Sequence, residues 1–232
     1  MLLNYETFLA RLDEVRASVG EACSLAGRDP TEVRILPVTK NHPAQAAAFA
    51  ARAGLESVGE NRVQEARDKK LSAGLPALRW ELIGHLQSNK AKLAAAIFDR
   101  VQSVESVKLL DLLDRAAAES GRTLSVLVQV NAGRDPAKFG CELEDAPAVV
   151  EHALHCQHLR IEGLMTIAPL SPDRAVARET FETLRACRDS LAGRFGVKLP
   201  ELSMGMTADL REAVLAGSTQ VRIGTALFGE RA

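Results

Sequence analysis

Short runs rich in valine, isoleucine and leucine alternate with longer, alanine-rich amphipathic runs along nearly all of this chain, and that alternation constrains the fold more than any other feature. Strand candidates fall at 33–39 (VRILPVT), 55–58 (LESV), 79–83 (RWELI), 98–104 (FDRVQSV), 124–130 (LSVLVQV), 159–165 (LRIEGLM), 200–204 (PELSM) and 220–224 (QVRIG). Helix candidates lie near 43–53, 61–72, 88–96, 106–119, 143–155, 173–193 and 208–216. Continuous apolar runs such as LSVLVQV suit strands covered on both faces, hence a parallel sheet. The place after the last strand lacks a helix, because the chain ends at Ala232. The N-terminal segment, about 3–26, carries Leu9, Leu12, Val15, Val19 and Ala22 on one helical stripe and is expected to fill it. The expected fold is a single α/β domain over residues 1–232, a (β/α)8 TIM barrel whose outer ring is completed by the N-terminal helix. The competing arrangement, an open doubly wound sheet, would place a glycine-rich phosphate turn after an early strand. Here KNHPAQ follows the first strand instead. Pro37 conflicts with its strand, since proline cannot donate to a ladder, and a bulge there is one accommodation.

Composition narrows the partners. A net charge of -1 over 232 residues carries no basic footprint for nucleic acid or a membrane surface. Arg67, Lys69 and Lys70 lie among Glu65 and Asp68 and read as a solvated helix face. No apolar run approaches the ~20 residues of a membrane span, and the N-terminus lacks the pattern of a signal peptide. Cys23, Cys141, Cys156 and Cys187 are widely spaced with no CxxC, as expected of reduced, cytoplasmic thiols.

In a barrel of this kind the chemistry sits at the C-terminal ends of the strands, so polar residues just after each strand are the candidates. Lys40 follows the first strand. A partly desolvated amine there can attack a carbonyl, but a lysine can also snorkel to the rim, and position alone leaves both readings open. GENRVQEA follows the second strand, with Gly59 in a turn and Glu60 and Asn61 facing the mouth or starting a helix. His85 follows the third strand, with Ser88 and Asn89 as caps for the next helix. Ser103 and Glu105 follow the fourth, Asn131 and KFGCE (138–142) the fifth, and Met165 and Thr166 the sixth. The last two strands end in LSMGMTADL and VRIGTALFG. Barrels frequently bind phosphate with these two loops, where glycines and helix starts offer free N–H groups. Ser203, Gly205, Met206, Thr207, Gly224 and Thr225 fit that role, as does a plain turn capped by Thr207. Arg222, inside the last strand, is costly there unless paired or bound to a ligand. His152, His155 and His158 step around a helix rather than converge, and precede a strand, so no metal site is expected of them.

A lysine after the first strand, a phosphate site after the last two strands and an arginine on the last strand together suggest pyridoxal 5′-phosphate (PLP). The stretches PVTKNHP, GENRVQEA, WELIGHLQSNK, VQSVES, VQVN, KFGC, IEGLMTIAP, LSMGMTADLREAV and STQVRIGTALFG, in that order, resemble the pyridoxal phosphate homeostasis proteins, relatives of the N-terminal barrel of alanine racemase. The resemblance implies that Lys40 holds PLP as a Schiff base. It implies phosphate contacts from Ser203, Met206, Thr207, Gly224 and Thr225, Arg222 beside the pyridine nitrogen, and Asn61 and Met165 close to the cofactor. Arg62 stands where the family usually has the tyrosine of GENYVQE, and Thr207 where serine is usual.

The implied role is PLP homeostasis with little or no turnover, and so no catalytic residue. An arginine stays charged and cannot accept the pyridine proton, which leaves the ring a weaker electron sink. Alanine racemase adds a second domain that supplies the opposing base; this chain ends with its barrel, and its one tyrosine, Tyr5, lies in the N-terminal helix. The implied partners are PLP and PLP-dependent apoenzymes as its recipients, with the chain a monomer. The alternatives are a PLP-dependent amino-acid racemase and a cofactor-free Schiff-base aldolase.

Overall fold

The computed structural model describes residues 4–75 and 77–229. Among them the strands are β1 (Arg34–Pro37), β2 (Ser57–Glu60), β3 (Arg79–Leu82), β4 (Arg100–Val104), β5 (Leu124–Gln129), β6 (Leu159–Met165), β7 (Glu201–Ser203) and β8 (Gln220–Ile223). The helices are α1 (Tyr5–Ala26), α2 (Gln45–Arg52), α3 (Val63–Ala73), α4 (Ala91–Ile97), α5 (Val107–Glu119), α6 (Ala146–His155), α7 (Arg174–Phe195), α8 (Leu210–Leu215) and α9 (Thr225–Phe228). All strand pairs are parallel, in the order β1-β8-β7-β6-β5-β4-β3-β2. A bridge between Val38 and Gly59, with the Thr39 N–H donating to the Gly59 carbonyl (3.0 Å), closes β1 onto β2. The (β/α)8 barrel read from the alternation is therefore the fold.

Pro37 needs no bulge. The N–H groups of Arg34 and Val38 both donate to β8 main chain (2.9 and 2.8 Å), so by alternation the Pro37 nitrogen faces β2. That is the seam, where the ladder is reduced to the Val38–Gly59 bridge and a missing donor costs nothing. Below the bridge the seam stays open as a cavity of about 240 Å³, lined by Arg34, Ile35, Ser57, Glu81 and Arg100 among others.

The N-terminal helix takes the vacant place in the ring. Asn4 caps α1 by accepting the Thr7 N–H (2.8 Å), and Gly27 ends it in the left-handed conformation. Leu3, the start of the expected span, lies outside the described residues. The buried stripe begins at Phe8 rather than Leu9 and continues through Leu12, Val15, Val19 and Ala22. Phe8 meets Phe49 of α2 and Phe228 of α9 at ring-centroid distances of 6.0 and 5.4 Å, so α1 staples the first and last βα units together. The one-turn helix α9 was not expected; it adds Leu227 and Phe228 to that cluster.

β2 begins two residues later than its apolar run suggests, and Gly59 and Glu60 belong to the strand rather than to a turn beyond it. Gly59 packs against Leu36 and Ile83 inside the barrel. Glu60 points the other way, toward α3, where Lys69 neutralises it. Among the described residues no helix is long and apolar enough to cross a membrane.

At Gly163, β6 leaves no room for a side chain against β7. A Cβ there would sit inside contact distance of the Glu201 carbonyl oxygen on β7. Gly163→Ala should destabilise the fold by about 2 kcal/mol through overpacking, seen as a fall of roughly 4–8 °C in melting temperature for a chain of this size.

Candidate functional site

Alternation along the strands decides which side chains enter the barrel. Val101, Leu202 and Val221 pack outward against helices, and Gln102, Ser203 and Arg222, one position on, turn inward. Arg222 is buried, and its guanidinium donates to Ser203 Oγ (2.8 Å) and to the Thr166 carbonyl (2.8 Å). Neither acceptor is a carboxylate. Burial pulls its pKa down to about 10, against the raising field of Asp209, and the group stays charged at neutral pH.

Arg222 heads a chain of buried hydrogen bonds that descends the barrel. Ser203 Oγ donates to Gln102 Oε1 (2.6 Å), and Gln102 Nε2 donates to Glu81 Oε2 (2.6 Å) and Gln220 Oε1 (2.7 Å). Glu81 then faces Arg100 (3.5 Å), which also pairs with Glu162 (2.5 Å) and Glu201 (3.7 Å). Arg34 closes the chain at the far end through Glu201. The raising fields of Glu81, Glu162 and Glu201 hold the Arg100 pKa up against the larger opposing effect of burial.

The sequence-derived candidates collect at the opposite, C-terminal end. Lys40 lies just past β1, Asn61 just past β2, Met165 and Ser203 end β6 and β7, and Gly224 and Thr225 follow β8. The Arg222 N–H donates to the Gly205 carbonyl (2.9 Å) and the Val38 N–H to the Ile223 carbonyl (2.8 Å), so β7, β8 and β1 present one continuous rim. Met206, Thr207 and Thr225 are exposed on it. The Met206 N–H donates to Asp209 Oδ1 (2.5 Å), and burial pushes the Asp209 carboxyl up despite that bond.

Around Lys40 the structure corrects the sequence reading. Glu60 does not face the mouth, and Lys69 is not on a solvated face: both are buried between β2 and α3. Lys69 Nζ donates to the Thr39 carbonyl (2.6 Å), Glu60 Oε1 (2.7 Å) and Glu65 Oε1 (2.7 Å). Glu60 Oε1 also accepts from Thr39 Oγ1 (2.6 Å), and Glu65 Oε1 from the Asn41 N–H (2.5 Å). Burial raises the Glu60 pKa over the lowering by Lys69 and Thr39, and Glu60 Oε2 has no partner among the described residues. Glu65 is held low by Lys69 and Asn41 against its own desolvation. The sequence signal for Lys69 was its i,i+4 spacing from Glu65, which ordinarily marks an exposed pair.

The remaining candidates shape the rim. His85 pairs with Glu105 (3.2 Å) and stacks on Phe139, centroids 4.1 Å apart. Glu105 also accepts the Gly140 N–H (3.0 Å), tying the loop after β5 over β3. Asn131 is buried and paired, with Asp135 and Glu142. Asn61 and Arg62 border a 360 Å³ cavity shared with His85 and Lys90. His152 bonds Asp111, His155 the Glu151 carbonyl, and the His158 main chain Asp114. They do not converge, and no metal-ligating cluster exists among the described residues. The cysteines are free, and burial pushes Cys141 up to about 12 and Cys187 to about 11, keeping both thiols protonated.

Comparison with known proteins supplies a family. Residues 11–232 match the model of the alanine racemase N-terminal domain. The pyridoxal phosphate homeostasis protein of Pseudomonas aeruginosa is 40% identical over 225 residues, covering 97% of this chain and 96% of that protein. PipY of Synechococcus elongatus, solved with PLP bound, superposes with a TM-score of 0.81 at 41% identity, over 91% of this chain and 100% of that one. An alanine racemase of Clostridium difficile shares the fold at a TM-score of 0.80 and 14% identity, over 97% of this chain and 57% of that one.

The buried chain below the rim carries a stability prediction of its own. Gln102→Leu strips partners from Ser203, Glu81 and Gln220. It should cost about 3 kcal/mol, at roughly 1–3 for each group left without its bond. Urea denaturation checks this; a loss below about 1 kcal/mol would show that the interior repacks or hydrates freely.

Proposed function

Because the chain belongs to the pyridoxal phosphate homeostasis protein family, built on the barrel of the alanine racemase N-terminal domain, we propose that it binds pyridoxal 5′-phosphate covalently on Lys40 and serves to hold and buffer the cofactor, with little or no turnover. The observation that carries the reading is Arg222: a buried cation, hydrogen-bonded among the described residues to the neutral oxygens of Ser203 and Thr166, at the centre of the rim formed by β7, β8 and β1. Such a charge is costly without negative charge nearby; a ligand whose ring nitrogen meets the guanidinium and whose phosphate sits in the adjoining loops brings both an acceptor and that charge.

The donor set fits this group. Adjacent strands lie about 4.8 Å apart, so the ends of β7, β8 and β1 span roughly 10 Å, the scale of one such molecule. On that reading Ser203, Met206, Thr207, Gly224 and Thr225 bind the phosphate, Arg222 faces the ring nitrogen, and Asn61 and Met165 border the ring. The Met206 N–H would be released to the phosphate by Asp209, its acceptor in this structure. Lys40 would supply the amine. Bound PLP offers an electron-withdrawing ring, and an arginine opposite its nitrogen holds that ring unprotonated and its withdrawing power low. Of the rim histidines, His85 is held against Glu105 and Phe139, and His42, two residues past Lys40, lies against Phe228. Tyr5, the first residue of α1, packs in the outer ring against Phe49. These placements support storage over acid–base work, with PLP-dependent apoenzymes in the cytoplasm as the recipients.

Borohydride treatment of the protein with PLP should fix the cofactor on the peptide containing Lys40, read by mass spectrometry. Lys40→Ala should remove both the adduct and the visible absorption of the complex. Finding the adduct elsewhere would refute the assignment. Incubation of the PLP-loaded protein with single L-amino acids in deuterated water should give no α-deuterium exchange above free PLP; exchange above that level would favour a racemase.

A further inference from the structure

Lys40 sits between two residues whose main chains are both tied to one buried ammonium. On its N-terminal side the Thr39 carbonyl accepts directly from Lys69 Nζ (2.6 Å), and the Thr39 hydroxyl donates to Glu60, itself bonded to Lys69. On its C-terminal side Asn41 has φ of 60°, the left-handed region that asparagine tolerates better than most side chains. The Asn41 N–H is held by Glu65, whose same oxygen accepts from Lys69. Lys69 stands in the middle of α3 and Glu60 at the end of β2, so the tether runs from rigid elements to the turn after β1.

We propose that Lys69 is a positioning residue for Lys40: with Glu60 and Glu65 it fixes the peptide units on either side of Lys40, and so sets where the lysine amine meets the cofactor aldehyde. This rests on the reading that Lys40 holds PLP. Lys69 is not itself a second attachment point. Its ammonium has three protons, and three acceptors take them. Its role at Lys40 can be separated from its role in the fold, because buried ion pairs can often be replaced without loss of stability when both partners are changed together. What apolar replacements cannot reproduce is the bond to the Thr39 carbonyl and the relay to Asn41.

The test compares the full-length protein with Lys69→Met, Lys69→Met/Glu60→Gln and Lys69→Arg, by melting temperature, amide hydrogen exchange and PLP titration followed by visible absorption. Lys69→Met leaves Glu60 unpaired and should melt low. The double variant removes that charge and should regain most of the loss. Its Asn41 amide should still exchange about tenfold faster and its PLP affinity fall about tenfold, as for a turn that is binding-competent about one-tenth of the time. Lys69→Arg, which keeps charge and donors, should recover part of the affinity. Parent-like affinity and absorption in the double variant would overturn the proposal, whatever the exchange shows. If the double variant also melts low, Leu113→Ala in the core of α5 is the reference. A greater affinity loss from the Lys69 change than from Leu113→Ala supports positioning, and an equal loss overturns it. Failure of the PLP reading looks different: the parent protein then yields no Lys40 adduct with borohydride. The Asn41 exchange alone then decides, and an unchanged rate overturns the tether.

Discussion

A charge buried inside a barrel has to be answered somewhere, and Arg222 organises this molecule around that requirement. Its hydrogen bonds end on Ser203 Oγ and the Thr166 carbonyl, which satisfy direction but not charge. Ser203 passes the chain to Gln102, and Gln102 to Glu81 and Gln220. The barrel interior thus departs from the stack of branched apolar side chains usual for this architecture: a polar spine between two arginines runs beside the apolar cluster of Leu36, Val38 and Ile83. Arg100 at the lower end is surrounded by Glu81, Glu162 and Glu201, whereas Arg222 at the upper end has, among the described residues, no carboxylate in hydrogen-bonding contact. The asymmetry puts the structural charge at the closed end and leaves the responsive one at the mouth.

The seam between β1 and β2 is the second constraint, and it explains how the mouth is kept in register. A ladder on both sides of β1 would conflict with Pro37. The barrel instead closes through the Val38–Gly59 bridge and the Thr39–Gly59 bond, and Glu60 and Lys69 secure the same corner from the helix layer. Closure and the placement of Lys40 are thus one structural event. At the other end of the chain, α1 performs the matching task for the helices, with Phe8 set between Phe49 and Phe228.

The architecture was legible in the sequence because period and run length report backbone conformation directly. Each strand candidate met a real strand, and the stripe from Leu12 to Ala22 identified the helix that completes the ring. What was not legible depends on partners distant in the chain. Glu60 looked like a helix start because nothing local shows that Lys69, nine residues on, folds back against it. Gln102 and Gln220 lie 118 positions apart and meet only when the barrel closes. Their trace in the sequence is polar residues at period two within apolar strands, Arg100 with Gln102, Glu201 with Ser203 and Gln220 with Arg222, which in retrospect marks the inward face. The strand-end rule located the rim residues without structure, since it needs only the order of elements.

Charge at the mouth also bears on the proposal that the site holds a cofactor. An anionic ligand bound only by the folded barrel stabilises it by mass action. Arg222, which feels the field of Asp209 but is hydrogen-bonded to Ser203 Oγ and the Thr166 carbonyl, is the buried cation that such a ligand would meet. Two carboxylates at the rim are already committed: Glu65 to Asn41 and Lys69, and Glu105 to Gly140 and His85. Each fixes a loop, and a group that fixes a loop through its hydrogen bonds is poorly placed to shuttle protons, which requires breaking and remaking them. The rim is therefore rich in donors that bind and orient, and these two acids are spent on holding it in shape. Tight binding of a phosphate-bearing aldehyde follows from that distribution more readily than repeated proton transfer does.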